Sequence, residues 1–244
     1  MLSRVKVKLE SSVFKDKVLV AGFHGIGYVG YLTVKHLVKV LNGRLVGHIL
    51  TVWMPQFVAS TPDGISTPYE IYDLGESILF VPNVPMSRYD VNLVPLALAE
   101  ASISGGARLA LLIGGLDNRF RKDEGDFRYA ATHAFLAAHG EFIRDAKRLE
   151  EGLYIVGPLA TMLAYYSAYD FPAVAILPYA DPSGVDPLAA KVAVDFISRM
   201  LGVKVDTSEL VQLAEEKVKL EKELEEIRKK ATRGEEGAVP TFYV

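Results

Sequence analysis

The chain has 244 residues, half of them hydrophobic and 23% charged, with a formal net charge of −3 and no cysteine. That length and balance describe a folded chain with a substantial core rather than a disordered or collagen-like one. The charge leaves no bulk footprint for nucleic acid or an anionic membrane, and the absence of cysteine excludes disulfides, thiol nucleophiles and cysteine-held zinc or iron–sulfur sites.

Residues 1–10 alternate apolar and basic side chains (Val5, Val7 and Leu9 against Lys6 and Lys8), a strand pattern rather than the apolar heart of a secretory signal. A strand is expected at 17–23, then a glycine-rich turn, a helix at 27–41 ended by Gly43, and a strand at 44–52. Residues 54–68, with three prolines, read as a long irregular loop. Two short strands follow at 69–74 and 77–82. Asp90 is expected to cap a helix through Ser104, stopped by Gly105-Gly106. Residues 107–116 form an apolar run of the kind buried on both faces. Residues 127–136 read better as strand than as helix, 141–151 as a short helix, and 153–156 as a buried strand. Pro158 suits the first turn of a helix, 173–178 is the last core strand, and Asp186-Pro187 opens a helix to Leu201. Between 151 and 181 Asp170 is the one internal charge, yet Gly157-Pro158 and Phe171-Pro172 cut that stretch into pieces too short to span a membrane. Repeated strand–helix–strand units predict an α/β fold, a mostly parallel sheet flanked by helices, over residues 1–206.

From Thr207 the composition changes. A charged helix capped by Asp206 or Thr207 is expected to run to Ala231, with Leu210, Leu213, Leu220, Leu224 and Ile227 along one side. Counting Lys217 as an interruption, these positions make a heptad seam, which suits either packing on the helix's own domain or pairing with a second copy. Residues 232–244 carry no periodic pattern and read as a flexible tether ending in Phe242-Tyr243-Val244. An apolar ring, a phenol and a terminal carboxylate make a small plug for a pocket with an apolar wall and a cation. A frayed terminus is the bland alternative.

Gly25-Ile26-Gly27-Tyr28-Val29-Gly30 matches the dinucleotide fingerprint in both spacing and place, after a strand and before a helix. The acidic residue that should end the next strand is missing: Thr51-Val52-Trp53-Met54 offers neither an acid nor an arginine. The better reading is glycines that let a helix pack on a strand, with a smaller phosphate-bearing ligand left open. Among the five histidines none has paired metal-ligand spacing, so no metal site is expected; His24 is the best placed, at a strand's carboxyl end. The loop 117–126 mixes Asp117, Asp123, Glu124 and Asp126 with Arg119, Arg121 and Lys122, lacks calcium-loop order and reads as self-neutralising. No catalytic constellation emerges.

Gly22-Phe23-His24-Gly25-Ile26-Gly27-Tyr28-Val29-Gly30 and its helix resemble the opening motif of the proteasome assembly chaperone family, in its archaeal and bacterial branch. Gly114-Gly115, Gly157-Pro158-Leu159, the helix 186–201 and the helix after Val205-Asp206 extend the resemblance over residues 17–225. The absence of cysteine is consistent with a cytoplasmic protein, and the resemblance implies an α/β protein that is not an enzyme, needs no cofactor and works as an assembly chaperone or activator. It implies proteasome α-subunits as partners, with no nucleic acid or membrane involved. Archaeal members end in a hydrophobic–Tyr–any-residue tail that docks between α-subunits, which places that role on Phe242, Tyr243 and Val244. On this view Val244 pairs its carboxylate with a pocket lysine, Tyr243 hydrogen-bonds at the pocket mouth and Phe242 fills apolar space. A homo-oligomer joined through the 207–231 seam would give the tails avidity. The competing class is a small-molecule or nucleotide-binding enzyme or sensor using His24, Gly25, Gly27 and Gly30.

Overall fold

Four strands buried on both faces form the centre: β2 (Val18–Gly22), β7 (Ser77–Pro82), β8 (Leu109–Ile113) and β12 (Ala173–Ala180). The computed structural model describes residues 4–10, 12–62 and 64–235, with the side chains of the last helix described as far as Leu220 and at Lys222 and Glu223. The other strands are β1 (Val5–Leu9), β3 (Arg44–Thr51), β4 (Ala59–Thr61), β5 (Gly64–Ser66), β6 (Tyr69–Asp73), β9 (Leu116–Asp117), β10 (Phe127–Ala131) and β11 (Lys147–Arg148). The helices are α1 (Val29–Val40), α2 (Asp90–Ser104), α3 (His133–His139), α4 (Pro158–Ala168), α5 (Pro187–Leu201) and α6 (Ser208–Glu235).

Among the described residues a ten-stranded sheet runs β1-β3-β6-β7-β2-β8-β12-β10-β11, with β9 pairing beside β12 past the end of β8. The central β7-β2-β8-β12 run is parallel, whereas β1, β3 and β6 on one side and β10 on the other join antiparallel. The expected α/β fold with its parallel centre is therefore what forms. Alternate strand residues feed two cores. Leu19, Ala21, Ala110 and Leu112 face the side covered by α2 and α4, and Val18, Val20, Leu109 and Leu111 face the side covered by α1 and α5. No described helix is long and apolar enough to cross a membrane.

Several local expectations are corrected. Residues 54–68 contain the β4–β5 hairpin, in which Thr61 pairs with Gly64 just after Pro62. Asp90 does not cap α2 but lies inside its first turn, fully buried, accepting from Thr51 Oγ1 at 2.8 Å and the Tyr69 hydroxyl at 2.9 Å. Burial, with this bond second, pushes the Tyr69 phenol well above its ordinary range. Residues 127–136 divide into β10 and the start of α3, with Thr132 accepting from Phe135 N as the cap. Residues 141–151 hold a single 3-10 turn and β11 instead of an α-helix. The cause is Arg128, which is only 1% exposed and bonds Glu150 and Asp123 at 2.9 Å each. A buried guanidinium must be paired, and this pairing draws 147–150 alongside β10. Residues 153–156 find no place in the sheet and form no strand; they cross outside its carboxyl edge with Tyr154 85% and Val156 80% exposed.

The start of α6 lies on the domain. His36 Nε2 contacts the Asp206 carbonyl at 2.7 Å, Asp206 accepts from Ser208 N, and Leu210 and Ala214 are buried. Lys217 donates to Asp181, just past β12. Leu210 is thus committed to its own domain and cannot serve an intermolecular seam. Leu213 and Leu220 are exposed, while the side chains of Leu224 and Ile227 lie outside the described residues. The helix continues to Glu235, past the expected end at Ala231.

Candidate functional site

The chain leaves β2 through α1 toward β3 on one side, and leaves β8 toward β12 on the other. Neighbouring parallel strands whose connections diverge create a crevice at their carboxyl ends, the usual ligand position in open α/β sheets. A cleft of about 680 Å³ opens there, lined by residues following β2 and β8, by the start of α4, and by 152–156.

The glycine turn forms one wall. Ile26–Tyr28 is a single 3-10 turn in which Gly27 has φ +62° and Tyr28 φ +54°. The expected packing role is visible in the close approaches. A Cβ on Gly30 would stand 2.4 Å from the Ile113 carbonyl oxygen, one on Gly22 would stand 2.1 Å from that of Gly30, and one on Gly27 would meet Ala180 Cβ at 2.7 Å. The start of α1 therefore rests directly on β2, β8 and the end of β12. Gly25 differs, because a Cβ there meets nothing within 4 Å.

A phosphate finds little here. The N–H groups of Tyr28, Val29 and Tyr31 already donate to the carbonyls of Gly25, Ile26 and Phe23. Among the described residues no Lys or Arg lines the cleft, and nearby Arg119 is clasped by Asp117. That contact, with the Arg119 N–H, holds the Asp117 carboxyl below its ordinary range. β3 lies three places from β2, so its end cannot supply the ribose contact of a dinucleotide site.

His24 stacks on Tyr31 with ring centroids 4.4 Å apart and meets Tyr28 edge-on at 5.6 Å. Burial lowers its pKa, so the imidazole is neutral at pH 7. Neither ring nitrogen has a hydrogen-bond partner among the described residues, so no described carboxylate orients this histidine as a base. Of the expected turn residues, His24 and Gly25 line the cleft, whereas Gly27 and Gly30 are packing positions. Phe242, Tyr243 and Val244 lie outside the described residues.

The opposite wall, Leu153–Val156 with Phe120, was not anticipated as part of a site. Its signal was present in Gly157-Pro158: Gly157 takes φ +74°, which turns the chain sharply into α4 and swings the preceding residues over the sheet edge. Glu150, held by Arg128, anchors the other end of this wall. The surrounding polar cluster neutralises itself. Asp123, bonded by Lys147, the Gly125 N–H and Arg128, is held far below the ordinary carboxylate range. Among the described residues no three acids or histidines group as metal ligands.

Comparison with known proteins places this architecture. The PAC2 family profile matches residues 19–228. No curated protein matches the chain. The fold is similar to that of Pyrococcus furiosus PbaA, described as an archaeal homolog of proteasome-assembly chaperone, with a TM-score of 0.81 at 20% identity over 99% of this chain and 100% of that one. Pyrococcus furiosus PbaB, described as an archaeal proteasome activator, gives 0.76 at 20% identity over 92% and 100%. A Thermoplasma acidophilum protein of unknown function gives 0.70 at 17% identity over 91% and 93%.

Proposed function

The chain belongs to the PAC2 family, the proteasome assembly chaperone family that its glycine motif resembles, and from that premise we propose that it binds the proteasome core particle as an assembly chaperone or activator. The docking element is Phe242-Tyr243-Val244, entering pockets between α-subunits, with Val244 supplying a carboxylate, Tyr243 a phenol and Phe242 an apolar ring. The observation that carries this reading is the course of α6. It is tied to the domain through Leu210, Ala214 and Lys217 and then continues to Glu235, about five turns further. The nine residues that follow reach at most ~30–32 Å when extended.

A single tripeptide binds weakly, since ordering its tether opposes a few contacts. Copies joined along Leu213, Leu220, Leu224 and Ile227 would present several tails at once and gain avidity. Co-sedimentation with purified core particles or α-rings tests the proposal. Tyr243→Ala, or removal of 242–244, is expected to abolish binding while leaving the melting temperature unchanged. Undiminished binding by the truncated chain would move the interface to the folded domain.

A further inference from the structure

The cleft at the β2–β8 switch point has the size of a small-molecule site, about 680 Å³. Phe23, Ile26, Leu116, Phe120, Ile155 and Leu159 make its walls apolar. Among the described residues its one acid, Asp117, is paired with Arg119, and no other charged side chain lines it. An anionic ligand would therefore lose its water without gaining a cation, which excludes phosphates and also a terminal carboxylate such as that of Val244. Besides Tyr154, which is 85% exposed, one polar side chain of the wall remains available among the described residues. His24 is held by Tyr31 and Tyr28 through ring contacts alone, leaving one nitrogen to donate and the other to accept.

We infer that this cleft binds an uncharged, largely apolar molecule carrying a single hydroxyl or carbonyl, which His24 hydrogen-bonds. Its ligand is selected by area and by one polar contact, the pattern of small-molecule sites in general. Gly25 lines the cleft, its backbone is extended and the space where a side chain would stand is open.

Calorimetric titration of the full chain with 1-naphthol and with 1-naphthoate tests this, since the two probes share a ring system and differ in charge. Naphthol is expected to bind saturably at one site per chain, and naphthoate at least ~10-fold more weakly. His24→Phe keeps the stacking ring but removes the hydrogen bond, and should weaken naphthol about 2- to 12-fold. Gly25→Leu puts a side chain into open space and should weaken it more than ~10-fold. Both variants should melt as the wild type does and co-sediment with core particles as it does. The inference is overturned by no saturable naphthol binding below about 1 mM, by naphthoate binding as tightly as naphthol, or by Gly25→Leu binding naphthol normally.

Discussion

The two walls of the cleft were built by opposite means. On one side the glycine turn brings backbone against backbone, and its motif is the strongest short signal in the sequence. On the other, residues 153–156 carry no motif, pair with no strand and leave Tyr154 and Val156 almost fully exposed. The wall with the recognisable fingerprint is mostly occupied with packing. The wall without one leaves room for a ligand. A glycine pattern thus reports that two segments approach closely, and the free space lies beside that approach.

The largest expected effect breaks the packed wall. Gly30→Ala sets a methyl 2.4 Å from the Ile113 carbonyl oxygen and 2.6 Å from Phe23 N, both backbone atoms with nowhere to move. It should cost about 3 kcal/mol, the upper end for overpacking, read as a lowered urea midpoint or as failure to fold. Next comes the anchor of the open wall. Arg128→Met leaves Asp123 and Glu150 without their buried partner and should cost about 2–3 kcal/mol; that is below the full range for a broken buried pair because both acids remain part-exposed. The same change should blunt the acid limb of the stability curve. Lys147 first, then the Gly125 N–H and Arg128, hold the Asp123 carboxyl below its ordinary range, so the part due to Arg128 is present above that range and is lost as pH falls through the folded pKa. Denaturation midpoints between neutral and strongly acid pH should fall less steeply in the variant below about pH 4. The smallest effect sharpens the contrast: Gly25→Ala and Val156→Ser, where nothing is packed, should each stay within ~0.5 kcal/mol of wild type.

What the sequence disclosed follows the same division between local and distant causes. β2, β7 and β12 are short apolar runs bounded by turn residues, and α4 and α5 carry their own start signals in Pro158 and Asp186, whose carboxylate accepts from Ala189 N at 3.0 Å. All of these are decided within a few residues. The misreadings involve partners far along the chain. Asp90 looked like a cap because its bonds to Thr51 and Tyr69 cannot be seen locally. The helix expected at 141–151 gave way to Arg128, and the crossover that places β3 three strands from β2 is invisible to any local pattern. Likewise a heptad seam records which residues share a face of α6 but not what covers it, and Leu210 turned out to face its own domain. In the cleft, His24 was legible as a residue at a strand end. Its unpartnered nitrogens depend on everything packed around it.

The footing of α6 also fixes a mechanical property. Leu210, Ala214 and the Lys217–Asp181 contact hold the first ten residues of the helix, Ser208 to Lys217, and the remainder runs on to Glu235. At 1.5 Å per residue the length from Lys217 to Glu235 is roughly 27 Å, so a 10° change of tilt at that contact would carry Glu235 about 5 Å. Small differences in how Leu210 and Ala214 seat would therefore shift where the helix delivers Glu235.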